Sequence, residues 1–437
     1  MFKTFKSHIE NQLPFLKEKK LLIAISGGLD SVVLTHLCYK LGLNISLAHC
    51  NFNLRGKESD SDETFVLELA MQLNLEVFTQ SFETSIYAET NKTSIQVAAR
   101  ELRYTWFKDL SKELGYDYIL TAHHADDTLE TFLINLTRAT GLEGLTGIPE
   151  LNNTIVRPLL PYSRETIKHF AKTNSYTWRE DSSNASTKYL RNKLRHEVIP
   201  LLKEINPKLL NGFQSTLQHL QDAADIIKDS VNDVSERAIA EETKTTITYN
   251  ISVFKVLKNP KAYLYHIFKA YGFTAYNDVY NLLEAQSGKQ VFSKTHRLIK
   301  NRETLILTVI ENEADKSILI SKENREVKIP IGTIIFEEIN KEFKSKKNEL
   351  YVDADLIQFP LEIRSWKDGE LFYPMGMQGK KKLSKFFKDE KFSLLDKEKC
   401  LLLYSNNEVV WIINYRGDNR YRVTEKTNRI FKITLQD

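Results

Sequence analysis

The sequence has few cysteines and only a small excess of charge of one sign. Three of its 437 residues are cysteines, and Cys38, Cys50 and Cys400 are far apart in the chain. This spacing excludes a disulfide framework and a Cys-x-x-Cys metal or redox site. The formal net charge of +4 is too small to indicate a nucleic-acid partner unless basic residues cluster locally.

Long apolar segments are also missing. The longest aliphatic or aromatic runs, such as residues 21–25 and 409–413, are far shorter than the roughly 20 residues of a transmembrane helix. The polar amino-terminal stretch has no apolar signal core and no small-residue cleavage site. We therefore expect a cytoplasmic protein with no membrane partner. A chain of 437 residues should also form two or three domains.

Short apolar segments alternate with longer amphipathic ones in the amino-terminal part of the chain. The apolar segments predict buried strands at residues 21–26, 44–50, 76–80 and 118–121. The amphipathic segments predict helices at residues 30–41, 61–73, 94–114 and 126–137. This alternation predicts an α/β fold, a doubly wound parallel sheet of Rossmann-like type, over residues 1–206. In such sheets ligands bind at the carboxyl ends of the strands.

The pattern changes after residue 206. A long helical pattern covers residues 209–241, and a second helix is predicted at 260–271 because a proline there suits a first helical turn. Strand-like segments near 291 and at 305–308 suggest a small sheet. We expect a mainly helical middle domain that ends in a charged linker at 311–328, so that this domain covers 207–328.

The remaining residues, 329–437, predict a small α+β domain. Strand patterns occur at residues 333–336, 361–365, 401–404 and 409–413. Turns are expected at Asn406-Asn407 and at Gly417-Asp418, because asparagine and glycine tolerate the backbone angles of tight turns.

The loop Ser26-Gly27-Gly28-Leu29-Asp30-Ser31 lies between the first predicted strand and the first predicted helix. Two glycines let the backbone approach a polyanion closely, and the amino end of a helix presents free N–H groups. The loop lacks the Gly-Lys-Ser/Thr ending of a Walker A motif. We interpret it as a phosphate-binding loop of another kind, with an ordinary strand-to-helix turn as the alternative.

Carboxylates occur in this loop and after the fourth predicted strand. Asp30 would repel bound phosphates unless a cation lies between them, so we expect it to help bind Mg²⁺; a helix cap is the alternative. Asp126 and Asp127 follow the fourth strand and could complete the Mg²⁺ site, while His124 could accept a proton. The alternative is that these aspartates cap the next helix.

The loop 26–31 resembles the signature of the ATP pyrophosphatase, or PP-loop, superfamily. The resemblance implies that Ser26, Gly27, Gly28, Leu29, Asp30 and Ser31 bind ATP and hold the β- and γ-phosphates. Segments 49–56, 99–104, 124–131, 157–160 and 189–195, with 368–377 and 380–387, are similar to the tRNA(Ile)-lysidine synthetase family. One departure lies at 394–401, where this chain has Asp396, Lys397 and Cys400.

This resemblance implies an ATP-dependent carbon–nitrogen ligase that acts on the isoleucine tRNA with a CAU anticodon. The wobble cytidine would attack the α-phosphate of ATP and release pyrophosphate. The ε-amine of free L-lysine would then attack carbon 2 and release AMP, which gives lysidine and changes codon recognition from AUG to AUA. Asp30, Asp127 and His124 are the expected catalytic residues, and the general base stays open between Asp127 and His124.

Basic residues in three parts of the chain are candidate contacts for tRNA or phosphate. Two of them share a predicted helix, two follow the catalytic segment, and four form a cluster near the carboxyl end that includes interleaved phenylalanines. The candidates are Arg100, Arg103, Arg191, Arg195, Lys380, Lys381, Lys382 and Lys385. Solvated surface charge is the alternative for each cluster. We expect the middle and carboxyl-terminal domains to contact tRNA.

Other functions also fit part of the pattern. A sulfur-inserting tRNA enzyme would need paired cysteines, and an amidotransferase relative would need an amino-terminal cysteine nucleophile. A non-catalytic tRNA-binding protein could carry a relic loop, although the intact Asp30, Asp126 and Asp127 favour catalysis. The sequence leaves the oligomeric state open, with a homodimer as one option.

Overall fold

The computed structural model describes residues 1–180, 190–310, 317–339, 346 and 348–436. The chain divides into two compact units, Met1–Lys228 and Asp229–Asp437. Among the described residues, no helix combines the length and the apolar character that crossing a bilayer requires.

A six-stranded sheet forms the centre of the first unit. Its strands are β1 Leu21–Ala24, β2 Ile45–Asn51, β3 Val77–Ser81, β4 Tyr118–Leu120, β5 Leu151–Asn152 and β6 Ile155–Val156. The order is β3-β2-β1-β4-β6-β5, and every pair is parallel except the edge pair β5–β6. Strand order reverses between β1 and β4, so the predicted doubly wound fold is confirmed and its switch point lies there.

Helices cover this sheet. They are α1 Phe2–Gln12, α2 Leu29–Lys40, α3 Lys57–Leu73, α4 Thr84–Thr90, α5 Ile95–Leu114, α6 Ala125–Thr137, α7 Leu142–Leu145, α8 Arg164–Thr173, α9 Leu190–Lys193 and α10 Ile199–Ile205. A π-helical turn, Leu194–Val198, joins α9 to α10. Leu22 and Ile23 of β1 are both fully buried although they point to opposite faces, as expected for a parallel sheet covered on both sides.

A long helix, α11 Leu209–Ala238, leads into the second unit. The helical pattern at 209–241 is therefore correct except at its end, because Ile239–Glu242 forms strand β7. That strand pairs antiparallel with β8 Thr246–Asn250, and the pairing overrides the helical preference of these four residues.

The middle region combines short helices with an antiparallel sheet. The helices are α12 Ile251–Lys255, α13 Pro260–Lys269 and α14 Tyr276–Asn281, and the further strands are β9 Gln290–Phe292, β10 His296–Asn301 and β11 Thr304–Val309. The sheet order is β7-β8-β11-β10-β9. Tyr249, Phe254 and Phe268 fill the core between helices and sheet. The predicted helical region with a small sheet is confirmed.

The carboxyl-terminal region contains two sheets that share one apolar core. Its strands are β12 Ile318–Ile320, β13 Glu326–Ile329, β14 Gly332–Ile339, β15 Glu349–Asp353, β16 Leu361–Ser365, β17 Leu371–Phe372, β18 Lys381–Lys382, β19 Leu401–Ser405, β20 Glu408–Ile412, β21 Arg416–Gly417 and β22 Ile430–Gln436. One sheet has the order β12-β16-β19-β20-β21 and the other β13-β14-β22-β15, while β17 and β18 form a pair. Two helices, α15 Leu383–Asp389 and α16 Leu394–Lys399, complete the predicted α+β fold.

Two details of this region differ from the sequence predictions. The segment expected to be a linker contains strands β12 and β13, while its residues 311–316 lie outside the described residues. The turn expected at Gly417-Asp418 is displaced, because Gly417 belongs to β21 and pairs with Trp411. The Asn406-Asn407 turn is confirmed: both residues have positive φ, 48° and 61°, and they join β19 to β20.

Candidate active site

The glycine loop joins the end of β1 to the start of α2. Gly27 has φ +83°, and a Cβ atom there would lie 3.3 Å from Phe65 Cδ1, so this position needs glycine. Gly28 precedes the first turn of α2, and no side chain caps that turn. The first N–H groups of α2 are therefore oriented toward the loop, with the positive end of the helix dipole.

The two serines of the loop hold its shape. Ser31 Oγ accepts a hydrogen bond from the Ser26 N–H at 3.2 Å and donates one to the Gly28 carbonyl at 3.0 Å. Ser26 Oγ accepts from the Gly28 N–H at 3.3 Å. These bonds preorganise the loop, so the hydroxyl groups predicted to bind ATP also fix the backbone.

Asp30 meets the segment that follows β4. Its Oδ2 lies 3.7 Å from His124 Nε2, which is 3.4 Å from Asp127 Oδ2. Asp127 Oδ2 also accepts the backbone N–H of His124 at 3.0 Å and so caps α6. Three residues predicted from separate motifs therefore lie together at the carboxyl ends of two adjacent parallel strands.

The environment of Asp30 is unusual for a carboxylate. Burial raises the pKa of Asp30, and the nearby His124 partly opposes this rise. Its Oδ1 atom is buried and has no hydrogen-bond partner among the residues that the structure describes. A buried carboxylate oxygen without a partner is costly, so this atom is well suited to a ligand from outside the chain.

Asp126 lies near His124, with its Oδ2 atom 3.7 Å from Nδ1 of that ring, and it also binds donors from later in the chain. Its Oδ2 accepts the backbone N–H of Arg164 at 2.8 Å, and its Oδ1 accepts the Lys203 ammonium at 2.7 Å. Burial would raise the pKa of Asp126, but these two donors hold it below the usual value. Asp126 therefore stabilises the amino end of α8, and both of its oxygens are engaged in this structure. Its role in a metal site stays a prediction.

Arg191 and Arg195 lie against the carboxylates of Asp127 and Glu130. Their Nη2 atoms are 3.2 and 3.1 Å from Asp127 Oδ1, and Arg191 Nε is 2.7 Å from Glu130 Oε2. Burial would raise the pKa of Asp127, but His124 and Arg191 hold it below its usual value. Both arginines, predicted as tRNA or phosphate contacts, are paired with carboxylates in this structure.

Glu130 is a residue that the sequence prediction of the site omitted. Its side chain is 1% exposed and accepts hydrogen bonds from Arg191 and Arg195. Its position three residues after Asp127 places both carboxylates on one face of α6, which is the sequence signal that could have identified it.

The other predicted arginines lie on α5. The guanidinium of Arg103 is 5.3 Å from the centre of the Phe52 ring, and that of Arg100 is 4.9 Å from the Tyr104 ring. Both side chains are exposed. Their contact with tRNA or phosphate stays a prediction.

The lysine cluster begins immediately before β18 and continues into α15. Lys380, Lys382 and Lys385 are exposed, whereas Lys381 pairs with Asp389 at 2.8 Å and lies over the Phe386 ring. The helix of this segment begins at Leu383. The phenylalanines of this helix, Phe386 and Phe387, are buried against β19 and β20, so they belong to the core and do not present rings to a ligand.

Few side chains are available for a metal ion. Across the described residues, no group of three or more His, Cys, Asp or Glu side chains is arranged to hold one. A Mg²⁺ site made by Asp30, Asp126 and Asp127 stays a prediction, and Asp30 Oδ1 is an oxygen of this set that has no hydrogen-bond partner among the described residues. One or two protein carboxylates are a common set for this ion, because substrate phosphates and water fill its other positions.

The cysteines are unsuited to sulfur transfer. Cys38, Cys50 and Cys400 are free thiols. Burial raises the pKa of Cys50 and of Cys400 to about 12, and it raises that of Cys38 further. Because the thiolate is the reactive form, these residues disfavour the sulfur-inserting alternative.

Family models match three parts of the chain. The model described as "PP-loop domain" matches residues 1–202, the "TilS substrate binding domain" matches 242–310, and the "TilS substrate C-terminal domain" matches 361–433. The first contains the glycine loop and the His124–Asp127 segment, and the third contains the lysine cluster.

Curated relatives are similar over almost their whole length. A tRNA(Ile)-lysidine synthase of Parabacteroides distasonis is 38% identical over 441 residues, which covers 100% of both chains. One from Bacteroides thetaiotaomicron is 38% identical over 431 residues, 97% of each chain. One from Porphyromonas gingivalis is 34% identical over 93% of this chain and 92% of the relative. With the PP-loop fold and the site described above, this similarity shows that the chain belongs to the tRNA(Ile)-lysidine synthase family.

Proposed function

We propose that this chain ligates free L-lysine to carbon 2 of the wobble cytidine in the CAU-anticodon isoleucine tRNA, with ATP as the second substrate. The observation that carries the proposal is the meeting of Asp30, from the glycine loop, with His124 and Asp127. This arrangement places carboxylates and a proton acceptor beside a phosphate-binding loop. Membership of the tRNA(Ile)-lysidine synthase family supplies the identity of the reaction.

The loop supports the first half-reaction, in which the cytidine oxygen attacks the α-phosphate. The cytosine carbonyl oxygen is a poor leaving group, so it must be adenylated before an amine can replace it. The uncapped amino end of α2 offers N–H donors to the β- and γ-phosphates as negative charge grows on pyrophosphate. Because Ser26 and Ser31 already hold the loop in shape, little reorganisation is needed when ATP binds.

Mg²⁺ fits the residues present. The unpartnered Asp30 Oδ1 and the neighbouring Asp127 are oxygen donors of the kind this ion prefers. When bound, the ion would neutralise charge on the phosphates and so offset the repulsion between them and Asp30.

His124 and Asp127 suit the second half-reaction, in which lysine replaces AMP. The lysine ε-amine is protonated near neutral pH and must lose a proton before it attacks carbon 2. The imidazole of His124 lies between the carboxylates of Asp30 and Asp127 at 3.7 and 3.4 Å. Asp127 also fixes the backbone of His124, so it either orients the base or is the base itself.

The second unit is suited to hold the tRNA. We assign tRNA contacts to the middle and carboxyl-terminal domains, with predicted boundaries at 207–328 and 329–437. Lys380, Lys382 and Lys385 are exposed cations close together in sequence, and such residues contact phosphate backbones without needing a particular base.

The test is a reaction of the purified protein with ATP, Mg²⁺ and the CAU-anticodon isoleucine tRNA, with and without lysine. Pyrophosphate release and the lysidine content of digested tRNA are measured. We expect pyrophosphate to depend on tRNA, and AMP and lysidine to appear only with lysine. If pyrophosphate is released but no lysine enters the tRNA, the proposed ATP chemistry is supported and the proposed amine substrate is wrong. Absence of pyrophosphate would favour a non-catalytic tRNA-binding protein.

A further inference from the structure

Arg179 lies beside the glycine loop although it is distant in sequence. Its backbone N–H donates to the Gly27 carbonyl at 2.9 Å, and its backbone pairs with Gly28 in an isolated parallel bridge. Its Cγ lies 3.7 Å from the position that a Cβ atom on Gly27 would occupy. The backbone of Arg179 therefore fixes the loop and places an arginine side chain next to both glycines.

The side chain of Arg179 is held by a buried carboxylate. Its Nε donates to Asp62 Oδ1 at 3.1 Å, and Arg55 Nη2 lies 3.1 Å from Asp62 Oδ2. Asp62 is 7% exposed, so one buried carboxylate orients two guanidinium groups. Arg55 also pairs with Glu58 at 3.0 Å. The Arg179 side chain is 43% exposed, which leaves part of its guanidinium accessible to a ligand.

The loop itself lacks a cation for a triphosphate. Residues 26–31 contain no lysine or arginine, in contrast to the Walker A loop, whose lysine reaches the β- and γ-phosphates. A helix amino end supplies only about half an elementary charge. Arg191 and Arg195, on the Asp127 side of the site, are already paired with Asp127 and Glu130. A cation next to the glycines would supply the missing charge.

We propose that Arg179 binds the terminal phosphates of ATP at the glycine loop, as the positive group that the loop itself lacks. Asp62 acts as a positioning residue that holds the guanidinium beside Gly27 and Gly28. This inference rests on the proposed function for the identity of the nucleotide, and it assigns one more ATP contact to the same site.

The test compares Arg179→Gln and Arg179→Lys with the wild-type protein. Glutamine keeps the methylene groups that pack beside Gly27 and removes the charge, and the backbone bond to Gly27 does not depend on the side chain. We expect Arg179→Gln to raise the KM for ATP roughly ten- to a hundredfold, because it removes a charged hydrogen bond to phosphate. The KM for lysine should change little. Arg179→Lys should give an intermediate KM for ATP, since a lysine keeps the charge without the planar fork.

A binding measurement separates this inference from the proposed reaction. ATP with Mg²⁺ should raise the Tm of the wild-type protein, and this rise should shrink in Arg179→Gln while the Tm without ATP is retained. Because the Tm measurement needs neither tRNA nor lysine, a wild-type protein that binds ATP but forms no lysidine would overturn only the proposed function. The matched control is Lys19→Gln, which also removes one positive charge. Lys19 pairs with Asp117 and precedes β1, so it lies at the end of that strand opposite the loop.

Two results would overturn the assignment of Arg179. One is an unchanged KM for ATP together with an unchanged ATP-induced rise in Tm. The other is a lower Tm without ATP, accompanied by equal increases in the KM values for ATP and lysine, because that outcome indicates a structural role for the side chain.

Discussion

Of the three groups of basic residues predicted to contact tRNA or phosphate, two lie in opposite environments in the structure. Arg191 and Arg195 share the carboxylates of Asp127 and Glu130, and Glu130 is 1% exposed. In the carboxyl-terminal domain, Lys380, Lys382 and Lys385 are exposed at the start of a short helix. Both groups look alike in the sequence, as basic residues spaced within one or two helical turns.

The difference is set by what lies behind each group. A buried carboxylate is destabilising unless a cation pairs with it, so Glu130 requires the two arginines to remain nearby. Behind the lysines lie the buried rings of Phe386 and Phe387, which need no counter-charge. The arginines therefore neutralise buried carboxylates, although the Arg191 side chain is still 43% exposed, whereas among the described residues no buried carboxylate lies behind the exposed lysines. Contact of either group with tRNA stays a prediction.

The largest expected effect is on catalysis. Asp30→Ala should reduce pyrophosphate release by at least about 10²–10³-fold, because it removes the carboxylate proposed to hold Mg²⁺ beside the phosphates. The affinity for tRNA should stay nearly unchanged, since the lysine cluster is intact. Pyrophosphate release and tRNA filter binding measure the two quantities. Turnover at the wild-type rate would remove Asp30 from the proposed metal site.

The next effect is on stability. Glu130→Gln should lower the free energy of unfolding by about 3 kcal/mol, because two guanidinium groups would lose a buried counter-charge. Urea unfolding measures this change. The matched control is Glu165→Gln: Glu165 pairs with Lys203 but is 76% exposed, and an exposed pair contributes about 0–1 kcal/mol. Equal losses of stability in both variants would contradict the distinction between buried and exposed pairs.

Periodicity in the sequence was sufficient to predict the first domain. The strands at 21–26 and 118–121 and the helices at 30–41 and 94–114 are present with small shifts at their ends, because each is defined by apolar residues close in sequence. The switch-point rule then placed Asp30 near the segment after β4. This is why Asp30, His124 and Asp127, which come from two separate motifs, lie close together in the structure.

Adjacent residues of the same type could not be assigned from the sequence. Asp126 and Asp127 both lie near His124 at the start of α6. Asp126 also pairs with Lys203 and the Arg164 backbone, whereas Asp127 pairs with Arg191 and Arg195. Successive positions on a helix point about 100° apart, so they meet different surroundings. Only the packing of the later chain decides which cations pair with each aspartate.

The strand at Ile239–Glu242 also could not be predicted from the sequence. These residues continue the helical pattern of α11, and nothing in them alone predicts a strand. They pair with β8, which follows after a short turn, and so form backbone hydrogen bonds with the sheet. A continued helix could not form these bonds, because its N–H and C=O groups would bond within the helix. A pairing partner outside the helical segment therefore determines the end of the helix.

The comparison between the two basic groups can be tested by salt dependence. Replacing Lys380, Lys382 and Lys385 together with alanine should weaken tRNA binding and lower the slope of log affinity against log salt concentration by about 1 for each lysine that binds a phosphate. The free energy of unfolding should change by less than about 1 kcal/mol, because these side chains are exposed.

Arg195→Ala provides the opposite pattern. It should lower the free energy of unfolding, because Glu130 loses a partner, while the salt slope of tRNA binding should stay at the wild-type value. If the arginine variant lowers the slope and the triple lysine variant does not, the assignment of the two groups is reversed.

The smallest expected effect lies within the lysine cluster. Lys381 pairs with Asp389 at 2.8 Å and its side chain is 18% exposed, whereas the adjacent Lys382 is exposed. Lys381→Ala should therefore leave the salt slope unchanged and alter the tRNA affinity by less than about twofold, since it removes a charge already neutralised by its neighbour. Lys382→Ala should lower the slope by about 1, because each phosphate contact releases counterions. Equal effects of the two single variants, measured by tRNA titration over a range of salt concentrations, would mean that the Lys381–Asp389 pair opens when tRNA binds.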